Sequence, residues 1–207
     1  MNAVTRRPAS PLTAAICVAT AVAVGLFSVP ALAAFADLPA GWFKAGSAPG
    51  DYEMGLDESV RQQGGKSSAT VKSVKENIQG FGTLMQTSQP GEYRGKRVRL
   101  SGFVKSEKVN EWAGLWFRVD GPNRSTLAFD NMQTRPIKGT TDWARYEIVL
   151  DVPNEAAALA FGILLAGGGQ VWMDDLKFEV VPATVKVTGG AIPVAPPAAP
   201  TNLNFEK

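Results

Sequence analysis

Between Asp51 and Val181 apolar and polar residues alternate in short runs, and Gly, Pro and polar turns cut the runs apart. Tyr52, Met54 and Leu56 alternate with Glu53, Gly55 and Asp57, the period of two of a strand with one buried face. The same pattern predicts strands at 68–73, 80–87, 97–105, 114–120, 126–131, 143–152, 157–165 and 170–181. No window carries a sustained 3.6-residue period with caps, so little helix is expected. Residues 153–158 read as a turn. Many short strands separated by turns predict an all-β fold, a two-sheet β-sandwich or a barrel.

Strand parity then sorts the side chains. Leu115, Phe117 and Val119 share one face; Trp116, Arg118 and Asp120 share the other. Leu127 and Phe129 likewise oppose Ala128 and Asp130. With the apolar sets inward, Trp116, Arg118 and Asp130 would stand together on the opposite face, extended by Asn131, Met132 and Gln133. Gln86 ends another strand of similar character. A ring that stacks on the C–H face of a pyranose, beside planar groups that take its hydroxyls in pairs, is what a sugar site needs. The plainer alternative is a surface Arg–Asp pair beside a partly buried Trp. Trp112, among Asn110, Glu111, Ala113 and Gly114, reads as a loop residue, either a ligand contact or a lid over the core edge. Trp172 shares parity with Asp174, Leu176 and Phe178, which places it on the core side and makes Asp174 an inward carboxylate in need of a partner.

The chain ends change the picture. Residues 12–29 are apolar and rich in Ala and Val, Arg6 and Arg7 precede them, and Ala31-Leu32-Ala33 and Ala34-Phe35-Ala36 follow. This predicts a signal peptide over 1–36, cleaved after Ala33 or Ala36, with an uncleaved anchor as the alternative. The single cysteine, Cys17, lies inside it, so the mature chain would have no thiol and no disulfide. The full chain has 21 Lys+Arg against 19 Asp+Glu; without the two leader arginines the balance is 19 against 19. A neutral domain has no electrostatic footprint for nucleic acid. Residues 182–200 shift to Pro, Ala, Gly and Val and read as a linker. Leu203 and Phe205 alternate with polar residues in 201–207, so a short strand returns there. The sandwich itself occupies 37–181.

The sequence has no histidine, which excludes Ser-His-Asp and Cys-His catalysis and His-containing zinc sites. Carboxylate chemistry remains open. Glu53, Asp57, Glu58, Glu111, Asp120 and Asp130 are candidate acids, but none sits in a motif that specifies a pair.

Gly41-Trp42 with Gly46, SATVKS from Ser68, YRGKRVRLSGFVKSE from Tyr93, GTTDWARYEIVLDVP from Gly139 and VWMDDLKFEV from Val171 together resemble galactose-binding-like, jelly-roll carbohydrate-binding modules. The resemblance spans 41–181. It implies a jelly-roll sandwich with Trp42 and Trp143 at core positions and a non-catalytic role. It also implies structural calcium near the first and last strands, for which Asp174 and Glu206 are the matching acids; no other cofactor is required. TNLNFEK resembles the first strand of that family, so Leu203–Glu206 is expected to fill that place as in a circular permutation, or to be donated to a neighbour in a strand-swapped dimer.

The expected function is non-catalytic, extracytoplasmic binding of a saccharide or glycan by Trp116, Arg118, Asp130, Asn131, Gln86 and Trp112. The protein would be periplasmic or secreted, with no nucleic-acid partner and no membrane span in the mature chain. A cell-envelope interaction domain is the alternative, and a glycan-active hydrolase comes last.

Overall fold

The computed structural model describes Met1 and residues 35–189. The rest of the predicted leader, the second half of the predicted linker and the strand expected at 203–206 lie outside the described residues, as does Glu206. Among the described residues there is no α-helix, only three one-turn 3-10 segments.

Nine strands form the domain: β1 (Phe43–Gly46), β2 (Tyr52–Asp57), β3 (Ser68–Ser73), β4 (Phe81–Ser88), β5 (Lys96–Asp120), β6 (Thr126–Asp130), β7 (Ile137–Val152), β8 (Ala158–Ala166) and β9 (Gln170–Val181). β5 is 25 residues long and organises the rest. Its first half pairs with β7 and β9; its second half pairs with β8 and β6. The neighbour order β1-β4-β8-β5-β9-β3-β2 therefore folds over at β5 into two faces. The passage falls where register with β7 slips three times, between Val104 and Ala113, and where Lys108 takes φ +52°. The polar run that reads as a loop around Trp112 is thus continuous strand. Ser106 and Glu107 pair with β9, and Trp112 pairs with Ala166 of β8.

Between the layers lies one core, with Leu84, Leu100, Leu115, Phe117, Ile148, Leu150, Ile163 and Leu165 fully buried. Phe178 of β9 meets Phe117 of β5 and Phe161 of β8 in edge-to-face contacts, with centroids at 5.4 and 4.8 Å. Trp42 joins from outside β1 by an edge contact with Phe161 and packs on the core as expected. Gly82 on β4 keeps the layers close, since a Cβ there would stand 2.5 Å from the Tyr52 ring and 2.7 Å from Met54 Cε on the facing layer.

Two expectations about tryptophans fail. Trp143 is half-buried and belongs to neither buried cluster, because on β7 Ile148 and Tyr146 face the core and Ala144 pairs with core Val104, which leaves Trp143 on the outer face. Trp172 is buried, but on the outer face of its layer, opposite Thr70 and beside Asp57. Val171 and Met173 are its core-facing neighbours. Asp175 takes φ +50° and the register with β5 shifts there, so parity inverts and Leu176 and Phe178 turn inward.

Residues 182–189, the start of the expected linker, form a strap along the edge of β7. Arg97 Nη1 donates to the carbonyls of Ala183 and Val185. The Thr188 amide donates to Val149 O at 2.9 Å, and the Val149 amide donates to Thr188 Oγ1 at 2.9 Å. Gly189 then wedges between Phe129 O, Asp130 and Leu150, where a Cβ would collide with the Phe129 carbonyl. The strap covers backbone groups that an edge strand would otherwise leave open.

Candidate functional site

The layer β1-β4-β8-β5-β6 carries a second buried cluster on its outer face. Trp116, Ala160, Leu164 and Ala166 form it, with Phe81, Met85, Trp112 and Phe129 packed around them. Its members follow from strand parity: the residues between them, Leu115, Phe117, Ile163 and Leu165, face the main core. A cleft of about 300 Å³ opens on this cluster, lined by Ala45, Gly46, Phe81, Thr83, Met85, Trp116, Arg118, Phe129 and Leu164. It falls at the small end of ordinary ligand sites.

The floor of the cleft is chemically closed. Trp116 is only 6% exposed, and its indole N–H donates to Thr83 Oγ1 at 2.7 Å. Thr83 Oγ1 donates in turn to Ile163 O at 2.7 Å. At one end Arg118 makes a two-pronged ion pair with Asp120, Nε to Oδ1 at 2.7 Å and Nη2 to Oδ2 at 2.9 Å.

Of the residues expected to gather here, Trp116 and Arg118 line the cleft and Trp112 packs on the same cluster. Asp130 does not join them. In the β5–β6 register Phe129 stands opposite Arg118 and Asp130 opposite Phe117, because the bulge at Val119/Asp120 inverts the parity of β6. Asp130 is instead clamped by Arg135, by the Met132 amide and by the strap. Burial alone would push its pKa up; the Arg135 and Thr188 hydrogen bonds, the Met132 amide and the Arg135 charge outweigh it and hold the pKa below the ordinary aspartate value. Gln86 lies on the opposite face of β4, opposite core-facing Phe161 and against Gly41. Asn131 closes a turn, accepting the Gln133 amide. The cleft residues that sequence reading missed are Phe81, Met85, Phe129 and Leu164. Each is an ordinary apolar strand residue, and only the registers of β4, β6 and β8 reveal that they share an outward face.

Three of the six candidate acids, Asp57, Asp120 and Asp130, are engaged in structure. Asp57 accepts the Ser59 amide and hydroxyl, the Val60 amide and, at 2.8 Å, the Trp172 indole N–H. Burial would raise its pKa, but these bonds win and lower it. Asp174 is half-buried rather than inward. Its oxygens accept the Gln62 and Asp175 amides. Among the described residues no three His, Cys, Asp or Glu side chains converge, and Glu206, the other acid expected for calcium, lies outside the described residues.

No protein-family model matches the chain. Over 169 residues, 81% of the chain, it is 47% identical to the uncharacterized HTH-type transcriptional regulator YbfP of Bacillus subtilis (strain 168). The match spans 57% of that protein, less than two thirds of its length. Among solved structures, the fold matches the CBM22-1 xylan-binding domain of Paenibacillus barcinonensis Xyn10C (TM-score 0.52, 12% identity, 71% of this chain and 90% of that one). It also matches the Stig cyclase Fisc of Fischerella sp. TAU (TM-score 0.52, 16% identity, 75% and 93%). A third match is the enzymatically active domain of bacteriophage CBA120 tailspike protein 4 (TM-score 0.54, 12% identity, 69% and 20%). A binding module and a cyclase share this fold, so the fold assigns no activity.

The Bacillus relative overturns three expectations. Extracytoplasmic saccharide or glycan binding, a set of partners without nucleic acid, and a periplasmic or secreted location give way to a relative nearly half identical that is named a transcriptional regulator. The physical errors are identifiable. Overall charge neutrality does not by itself exclude nucleic acid as a partner. An Ala- and Val-rich stretch flanked by small residues does not by composition alone specify export. The side chains that were to hold sugar hydroxyls are dispersed over the inner and outer faces of one layer and a turn, so they do not converge on one site.

Proposed function

We propose that this domain is the ligand-receiving part of a transcriptional regulator and binds without chemistry of its own. The observation that carries this reading is the apolar cleft over Trp116, a preformed site on a domain whose 47%-identical relative is named an HTH-type regulator. The described residues form no helix-turn-helix, so helix-in-groove contact is not the role proposed for them. Occupancy of the cleft stabilises one state of the domain, and a regulator whose DNA affinity differs between states responds to it. Asp57, Asp120 and Asp130 are committed to structural pairs, which supports binding rather than catalysis.

The test is immunoprecipitation of the full chain from fixed cells, followed by sequencing of co-purified DNA. Enrichment at discrete promoters, altered by the cleft-filling variant Met85→Trp, is the expected result. Absence of enrichment, or recovery of the chain outside the cytoplasm, overturns the reading.

A further inference from the structure

The inventory of hydrogen-bonding groups around the cleft defines what can enter. Thr83 is the only uncharged polar side chain lining it, and both its donor and an acceptor position are already used. The Trp116 N–H is used as well. A ligand portion lying over this floor finds no free side-chain donor there, and a polyhydroxylated one would forfeit most of its bonds to water without replacement. The walls are Phe81, Met85, Phe129 and Leu164, which favour a flat apolar body.

The Arg118 end is different. Arg118 also borders a second depression, shared with Asp120, Arg124 and the turn that carries Arg124. Nε and Nη2 of Arg118 are engaged with Asp120, while Nη1 makes no hydrogen bond among the described residues. Arg124 is exposed and makes no ion pair among the described residues. It is held there by a turn closed by the Gly121 amide to Ser125 O at 2.7 Å, with Asn123 and Arg124 both at positive φ, +57° and +61°. Two guanidinium groups against one carboxylate leave this end with one net positive charge.

We infer that the cleft takes a small amphipathic monoanion: a flat apolar body over Trp116 and a carboxylate or similar single anion at the Arg118–Arg124 end. This rests on the reading of the cleft as the ligand site. The anion supplies the acceptor for Arg118 Nη1 and the counter-charge for Arg124, and apolar burial supplies the rest.

Calorimetric titration of the full-length chain with 2-naphthoate and with 2-naphthamide tests it. The two probes share a two-ring body and differ in charge. The acid is expected to bind at least tenfold more tightly than the amide. Arg124→Gln should shrink that ratio several-fold, and raised salt should weaken the acid alone. Met85→Trp should abolish both, with Leu164→Phe as a second cleft-filling variant should the first fail to fold. Equal affinities that vanish together in Met85→Trp overturn the anion while leaving the cleft as a site. No heat from either probe, or heat unaffected by both cleft-filling variants, overturns the cleft itself.

Discussion

The Trp116 indole N–H and the Thr83 hydroxyl form one link of a relay, 2.7 Å long, that ends on the Ile163 carbonyl 2.7 Å further on. It ties β5, β4 and β8 together across the outer face, with Trp116 supplying the floor of the cleft. Thr83→Val keeps the shape and removes the acceptor, leaving a buried indole N–H without a partner. The variant should lose about 1–3 kcal/mol in urea unfolding, whereas Thr83→Ser should stay near the parent. Unchanged stability in Thr83→Val would show that the indole N–H finds water instead.

Asp57 sets an acid limit on stability. Its folded pKa lies below the ordinary aspartate value, and so does that of Asp130. A depressed folded pKa gives a contribution that is complete above the unfolded value of about 3.9 and is lost as pH falls through the lower folded value. Unfolding free energy should therefore hold steady down to about pH 4 and fall below it. Asp57→Asn should reduce that fall. At neutral pH it should cost about 1–3 kcal/mol, because an amide nitrogen cannot accept the Trp172 N–H. Parallel denaturation series at stepped pH measure both effects.

Gly189 seats the strap. In Gly189→Ala the new methyl collides with the Phe129 carbonyl, so the strap must lift from β7. Hydrogen exchange at the Val149 amide, which now donates to Thr188, should quicken on the order of tenfold, with the core amides of β8 unaffected. Exchange at Val149 equal to the parent would mean that the strap contributes no protection.

Gly82 spaces the two layers. Gly82→Ala places a methyl 2.5 Å from the Tyr52 ring, and overpacking of this kind costs about 1–3 kcal/mol. Burial first, then the Glu111 and Asp51 carboxylates, push the Tyr52 phenol up to about 12, so its hydroxyl remains a donor to Gly167 O and the ring has little freedom to move aside. The midpoint of chemical unfolding reads the cost directly.

Much of the fold is legible in alternation. The pattern over 68–73 and 170–181 coincides with β3 and β9, and 52–57 coincides with β2. Failures cluster where a local irregularity inverts parity. The bulge at Asp120 turned Phe129 outward and Asp130 inward, and the φ of +50° at Asp175 separated Trp172 from Leu176. A period-two reading has no term for an inserted residue, so every side chain beyond one is assigned to the wrong face. β1 was missed because FKAG is too short and too polar to carry a period. The cleft followed the same logic: Trp116 and Arg118 lie on one regular stretch between the slips that end at Ala113 and the bulge at Asp120 and were placed together, while Phe129 lies beyond that bulge. Nothing in a single strand marks Met85 and Leu164 as neighbours of Trp116.

One strand shared by both layers also decides how the molecule comes apart. β5 bonds to β6, β7, β8 and β9, so neither face retains its central partner if the other loses it. Neither layer is an independent folding unit. The unfolding transition should be single and cooperative, with no half-sandwich populated along the way. Most of these pairings join residues far apart in sequence, so β5 must recruit distant partners before any of them is secure, and folding will be slow for the size of the domain. A strand that sits in both sheets makes the sandwich one object in time as well as in space.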